Sequence, residues 1–440
     1  MLVSVIKNFI SLQRSQWFDG QKISKIQSKK LREVILHAYR NVAFYKELYS
    51  RAGVELNKPI VLEKLPFVTK EDLRNVPLES RVLRGIISKK HHVIYTSGSS
   101  GMPFKIVQDS REVAIFEALR IRSILAQGAR FTDKVCQLRP VSVGGEQQFY
   151  LLAERKRFYG FIRKGRARPI PLTSQIDAHL EVIEKWKPQI LFAPPSYLVA
   201  LMDYCEKIDR RPAFRIVRSS GEVLTARVRK AVSDFFQAEV YDNYGAAEVG
   251  SIAWECPARE GYHINAETVF VEVLRDGHPV SPGEEGEICV TSLYRYTTPF
   301  IRYLLGDIVT LLDDECSCGR GLPLLGKIHG RMVDVIVRRD GLPVFPLTIL
   351  HSFHDIEGLD RFKVVQRSDY VIEVYIKPRV GWSEEAVKSE VEKRCNILFP
   401  DTPYTLKIVE EFENNAAKFR PVISFVNDDK RKSLSQLYTS

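Results

Sequence analysis

Leu31, Val34, Ile35 and Ala38 recur at helical spacing inside a basic stretch, and this pattern predicts helix across residues 21–53. Met1 to Trp17 reads as an amphipathic helix docked on the protein, with loose membrane contact as the alternative. It is broken by Lys7 and Arg14, lacks a small-residue cleavage site, and does not read as a signal peptide. The proline-punctuated stretch Lys58–Pro77 reads as a loop that enters a short helix at Thr69. From about residue 90 strands and helices alternate. Gln189–Ala193 is a short apolar strand, and Pro195 opens the helix that follows, since proline is tolerated in a first turn. Phe214–Ser219 repeats the form, with a helix from Thr225 to Phe236, and Ala238–Tyr241 reads as a strand ending in a glycine-bearing loop. This succession implies an α/β sheet with ligands at the strand ends.

Beyond about residue 266 the period changes to two. Val269–Leu274 and Glu287–Ser292 alternate, with Asp276-Gly277 as a hairpin turn. Asp340-Gly341 follows Val333–Val337 as a second hairpin signal. Phe362–Gln366 and Tyr370–Lys377 form a further strand pair, and Ser383 caps a helix reaching Phe399. A domain boundary is expected near Gly330, giving domains of residues 1–329 and 330–440, the second of α+β character.

Composition narrows the class. The chain has 440 residues, 45% of them hydrophobic and 27% charged, which excludes a disordered or fibrous protein. No apolar run approaches the ~20 residues that cross a bilayer. Seven cysteines, an odd number in a long chain, argue for a reducing compartment, and a cytoplasmic location is expected. A net charge of +11 favours an anionic partner such as a nucleotide, CoA, a nucleic acid or an acidic polymer, without choosing among them.

The sharpest local signal runs from Tyr95 to Pro103 (YTSGSSGMP), between apparent strands at 93–95 and 104–107. Gly98 and Gly101 let the backbone approach a phosphate, and Thr96, Ser97, Ser99 and Ser100 offer hydroxyl donors. A ligand-free glycine–serine hairpin has the same composition, and the spacing fails that of a P-loop. Further segments follow in order: Ser220-Gly221-Glu222, Asn243-Tyr244-Gly245 leading to Glu248, Arg302 to Asp307, Gly330-Arg331, and Ala417-Lys418-Phe419-Arg420. Together they resemble the signature segments of the adenylate-forming superfamily and span residues 95–420. Cys316-Ser-Cys318-Gly-Arg320, the Phe345-Pro346 turn and the segment HAYRNVAFYKELY resemble the phenylacetate–CoA ligase branch. The Lys418–Ser424 ending is similar to that of its capsular-polysaccharide relatives.

The resemblance implies a fold and an activity. The fold is α/β, a large multi-subdomain N-terminal adenylation domain with a small mobile α+β C-terminal domain. The activity is ATP-dependent activation of a carboxylic acid to an acyl-adenylate. Residues 96–101 would hold the β- and γ-phosphates. Ser220, Gly221 and Glu222 would lie on the adenine side, with Asn243, Tyr244 and Gly245 nearby. Glu248 would bind Mg²⁺, which prefers carboxylate and phosphate oxygens. Asp307 would accept the ribose hydroxyls. Lys418 would bridge the carboxylate and the α-phosphate, and Arg331 would sit at the pivot between domains. Three features depart from the family pattern. Ala247 stands where a hydroxyl-bearing residue is common, Phe104 (beside Lys105) stands where a basic residue is common, and Val333 replaces a carboxylate, leaving Asp334.

Two further clusters carry chemistry. Cys256 and His263, with six residues between them, and the pair Cys316 and Cys318 supply three thiolates and one imidazole, a donor set that matches a closed structural Zn²⁺ site. A surface cysteine pair and an ordinary polar histidine remain the alternative. Arg155, Lys156, Arg157, Arg163, Lys164, Arg166 and Arg168, interleaved with Phe158, Tyr159 and Phe161, read either as an anion-receiving surface or as a solvated face. No nucleic-acid-binding signature accompanies them, and no nucleic acid partner is expected. The acyl pocket is expected around Tyr197, Ser220, Asn243 and Tyr244, with Cys136 and Arg139 near its entrance. Expected partners are a small carboxylic acid, then CoA or an amine or hydroxyl (a saccharide's among them) as acceptor, and a second copy in a homodimer. Transfer of AMP itself to a hydroxyl, and a catalytically impaired nucleotide-binding scaffold, are the competing functions.

Overall fold

The computed structural model describes residues 1–56, 58–87, 91–96, 104–139, 167–171, 176–224, 226–275, 277–328, 336–340, 343–344, 349, 352–353, 356–410, 412 and 422–426. It forms two compact units. The first comprises residues 1–95, 105–130 and 241–331, and the second comprises 96–104, 131–240 and 332–440.

The first unit opens with α1 (Leu2–Ser15), α2 (Gly20–Asn41) and α3 (Ala43–Arg51). The single helix expected over 21–53 breaks at Val42, whose backbone is extended and whose side chain is buried. The break lets Tyr45 turn inward, where its hydroxyl donates to Pro299 O (3.0 Å) and accepts from Ile301 N (3.1 Å). Asp19 caps α2 by accepting from Lys22 N at 2.8 Å. The short helices α4 (Lys70–Arg74) and α5 (Leu78–Arg81) follow, α4 starting from the expected Thr69 cap in a full capping box with Asp72.

Next come the paired strands β1 (His92–Thr96) and β2 (Phe104–Gln108), then α6 (Ser110–Ala126), which Asp109 and Glu112 cap reciprocally. The second unit contributes β3 (Val135–Arg139), β4 (Ala167–Pro171), α7 (Ile176–Trp186), β5 (Ile190–Phe192), α8 (Pro195–Lys207), β6 (Ile216–Ser220) and α9 (Ala226–Phe236). Its strands run parallel in the order β6-β5-β3-β4, with Cys136 opposite Leu191 and Leu191 opposite Val217. Strands covered on both faces carry apolar runs, as here. Cys136, Leu191, Leu198, Val217 and Phe236 form their core.

The remaining strands are largely antiparallel. They are β7 (Glu239–Ala246), β8 (Gly250–Glu255), β9 (Tyr262–Ile264), β10 (Val269–Arg275), β11 (His278–Pro279), β12 (Glu285–Ser292), β13 (Tyr303–Leu311) and β14 (Leu324–Ile328). In the first unit their order is β11-β10-β12-β13-β14-β9-β8-β7. The strand expected to stop at Tyr241 runs on to Ala246, because β8 folds back to pair with it. The turn after Arg275 leads to the two-residue β11 and not directly to β12, although β12 still pairs with β10.

In the second unit β15 (Ile336–Val337) and β16 (Pro343–Val344) pair, as the Asp340 turn signal predicts. Strands β17 (Leu359–Gln366), β18 (Ile372–Pro378), β19 (Tyr404–Ile408) and β20 (Val422–Ser424) form a sheet ordered β19-β18-β17-β20. Helix α10 (Glu384–Leu398), capped by Ser383, buries Val387, Val391 and Cys395 in the same core as Phe362, Val364 and Val374.

Candidate active site

Glu248 sits in the three-residue turn between β7 and β8. The ladder pairs Tyr244 with Ala253 and Ala246 with Gly250, with a bulge between Tyr244 and Gly245. A Cβ on Gly245 would lie 2.5 Å from Gly250 O, so only glycine lets the two strands close this tightly. Gly250, at φ +86°, turns the chain back into β8.

Opposite this turn, the strand-like segment before α4 is stitched to β13. Val68 N donates to Arg302 O at 2.9 Å, and Leu304 N donates to Val68 O at 3.0 Å. That pairing sets two donors on one carboxylate. Lys70 Nζ lies 3.1 Å from Glu248 Oε1, and the Tyr303 hydroxyl donates to the same oxygen at 3.3 Å. Glu248 is buried. Burial pushes its carboxyl up, but the Lys70 charge and the surrounding hydrogen bonds outweigh that and hold it below its ordinary value. The side chain is therefore an anion at neutral pH.

Asp307 lies four residues further along β13. Register slips along the β12 pairing: Leu304 faces Cys289, while Ile308 faces Glu287. The extra residues bulge out, helped by Gly306 at φ +77°. Tyr244 donates from its hydroxyl to Asp307 Oδ2 at 2.8 Å. The Asn243 amide oxygen accepts from Gln127 at 3.4 Å. The structure thus brings Asn243, Tyr244, Gly245, Glu248 and Asp307 onto β7, its turn and β13 of one unit. Sequence reasoning missed Lys70 and Tyr303. The Thr69 cap marked the start of α4, but nothing local signalled the partner 178 residues away.

Other expected residues fall elsewhere. Ser220, Gly221 and Glu222 stand at the C-terminal end of β6 in the second unit, with Gly221 at φ +94°. Thr96 ends β1. Ser97, Gly98, Ser99, Ser100, Gly101, Arg331, Val333, Asp334, Lys418 and the basic cluster at 155–166 lie outside the described residues. Two expectations about the acyl pocket need correction. Cys136 is buried in the core of the parallel sheet, not at an entrance. Tyr197 is also in that core, its hydroxyl 2.6 Å from His179 Nδ1. Phe104 is buried in β2, so its departure from a basic residue is a packing choice. The Ala247 carbonyl accepts from Arg295 Nη2 at 3.1 Å, which pins the turn carrying Glu248.

The four expected soft donors do converge. Atoms of Cys256, His263, Cys316 and Cys318 all lie within 4.8 Å of one another. Cys256 follows β8, His263 faces Trp254 across the β8–β9 ladder, and both cysteines of the pair lie between β13 and β14. Cys256 Sγ and Cys316 Sγ are 3.6 Å apart, and Cys318 Sγ is 3.3 Å from His263 Nε2. A tetrahedral zinc centre with ordinary Zn–S and Zn–N bonds sets such edges at roughly 3.5–3.8 Å. Burial, reinforced by the Arg320 charge, pushes His263 down to about 4, so the ring is neutral, the form that binds a metal.

A family profile described as AMP-binding enzyme matches residues 32–294, more than half of the chain. The chain belongs to the AMP-binding enzyme family. It is 26% identical to the phenylacetate–coenzyme A ligase of Escherichia coli (strain K12) over 392 residues, 86% of each protein. It is 23% identical to Protein CapK of Staphylococcus aureus over 304 residues, 66% of this chain and 63% of that protein. The crystal structure of 2-hydroxyisobutyryl-CoA ligase in complex with 2-HIB-AMP and CoA matches with a TM-score of 0.68 at 22% identity, covering 97% of this chain and 94% of that one. The fold is accordingly the mixed α/β adenylate-forming fold, with a large N-terminal and a small C-terminal domain, and this AMP-binding protein is a phenylacetate–CoA ligase-like, AMP-forming ligase. Among the described residues no helix is long and apolar enough to cross a membrane.

Proposed function

We propose that this chain condenses a small carboxylic acid with ATP to give an acyl-adenylate and pyrophosphate, then transfers the acyl group to the thiol of coenzyme A, releasing AMP. The observation that carries the reading is the arrangement on β7, its turn and β13: Tyr303 of β13 donates to an ionised, buried Glu248, and Tyr244 of β7 donates to Asp307. Asp307, oriented by Tyr244, accepts from the ribose hydroxyls and fixes the nucleoside. Glu248, held as an anion by Lys70 and the Tyr303 hydroxyl, is the residue that would hold Mg²⁺. A Mg²⁺ ion held there would supply neutralisation of phosphate charge. The 96–101 loop would hold the β- and γ-phosphates, and Ser220, Gly221 and Glu222 would flank the adenine. Lys418 would bridge carboxylate and α-phosphate, delivered by a C-terminal domain that begins near residue 330 and pivots about Arg331. The Cys256, His263, Cys316 and Cys318 set is read as a structural zinc clip without a part in the chemistry.

The test is acid-dependent exchange of labelled pyrophosphate into ATP across a panel of small aromatic and hydroxylated acids. One acid should support exchange, Asp307→Ala should lower it by at least about a hundredfold, and AMP should appear only after CoA is added. Absence of exchange with every acid would refute the proposal. A place in capsule or exopolysaccharide assembly is supported by the Lys418–Ser424 ending and the likeness to CapK. Adding an amino sugar instead of CoA in the same assay tests that finer reading.

A further inference from the structure

Helix α1 is amphipathic on two sides. Its inner face is fastened: Val5 and Leu12 are buried, Ser15 Oγ donates to Glu267 at 2.6 Å, and Arg122 donates to Leu12 O at 3.3 Å. Immediately after the helix, Gly321 N donates to Gln16 O at 3.1 Å, and the Arg320 guanidinium lies 4.8 Å from the Trp17 ring centre. The exposed apolar residues are therefore not the result of a frayed end. Val3 is 79% exposed, Ile6 46%, Ile10 47% and Trp17 53%. At 100° per residue Val3, Ile6 and Ile10 and the exposed Lys7 and Arg14 fall within an arc of about 100°, apolar on one side and basic on the other, and Trp17 follows in the turn that ends the helix.

Helix α2 adds charge. Lys22, Lys25, Lys29 and Arg32 are exposed and share an arc of about 80°. Residues 1–41 hold eight Lys and Arg against Asp19 and Glu33, so a net +6 of the chain's +11 is concentrated in less than a tenth of its length. An apolar stripe bordered by cations, with a tryptophan at its edge, is the chemistry of a helix lying in the headgroup region of an anionic bilayer. A second copy of this chain would bring the same cations against themselves.

We propose that α1 and the basic face of α2 form a docking surface for a membrane bearing anionic phospholipids. Ile6, Ile10 and Trp17 enter the interface, and Lys7, Arg14, Lys25 and Lys29 meet the phosphates. The association is peripheral and reversible and does not depend on the proposed reaction.

The test is flotation of the full chain with vesicles of phosphatidylcholine alone or mixed with phosphatidylglycerol. Binding to the mixed vesicles should exceed binding to the neutral ones by at least about tenfold and weaken as salt is raised. Ile6→Glu combined with Ile10→Glu should abolish it, and Lys25→Glu with Lys29→Glu should reduce it about tenfold. Because these side chains are exposed, both variants should melt as the wild type does. Equal binding to both vesicle types, no binding to either, or a concentration-dependent dimer dispersed by Ile6→Glu/Ile10→Glu in place of lipid binding would each overturn the proposal.

Discussion

Lys70→Met removes the cation that faces Glu248 and leaves the rest of the turn intact. Opposite unit charges 3.1 Å apart attract by roughly 5 kcal/mol at an effective dielectric constant of about 20. Part of this is offset because the ammonium, still 20% exposed, recovers hydration in the unfolded chain. Leaving a buried carboxylate with only the Tyr303 hydroxyl and backbone donors then costs about 3 kcal/mol. For a unit of this size that lowers the melting temperature by about 6–12 °C. The pH dependence identifies the cause. In the wild type the Glu248 pKa is depressed below 4.5, so its contribution is present above the unfolded value and lost as pH falls through the folded one. Without Lys70, burial is the largest remaining influence and the pKa rises above 4.5. Stability of the variant then falls as pH climbs through that raised value. The gap between the two proteins should be full at neutral pH, narrow as pH falls through the variant's raised value, and close only below the wild type's depressed one, under 4.5. Differential scanning fluorimetry across pH, with Lys70→Arg as the charge-preserving control, reads it. A loss under about 2 °C, or a gap of constant size at every pH, would refute the reasoning.

Purified protein should contain about one zinc per chain by elemental analysis, and Cys316→Ser should remove most of it. Zinc undisturbed by that substitution would disprove the clip. Gly245→Ala should push β7 away from Gly250 O and displace Glu248 and Asp307's tyrosine together, lowering acid activation by about a hundredfold with little change in secondary structure by circular dichroism. Glu267→Gln should leave Arg122 buried and uncompensated, since Glu267 accepts two of its hydrogen bonds at 2.6 and 3.2 Å, and should cost about 3–5 kcal/mol by urea denaturation.

The parts of this site that were legible in sequence are those written in local chemistry. Thr69 announces a helix start because its oxygen and that of Asp72 satisfy end-of-helix donors, a matter of four consecutive residues. Pro195 and Ser383 are legible for the same reason. The four soft metal donors were legible by type, although the β8–β9 register that sets His263 opposite Trp254, nine residues back, was not. What stayed hidden depends on strand parity and on pairing between distant segments. Cys136 stands on a strand and Tyr197 in the first turn of the helix that follows β5, and neither the face a strand residue takes nor the side a helix packs is written locally; both turned to the core. Lys70 is the sharper case. Its aim follows from Val68 pairing with Tyr303, so the same pairing delivers both donors to Glu248. A helix cap fixes where a side chain starts, and a remote backbone pair fixes what it meets. The predicted cost of losing Lys70 therefore measures a contact that only the folded chain contains.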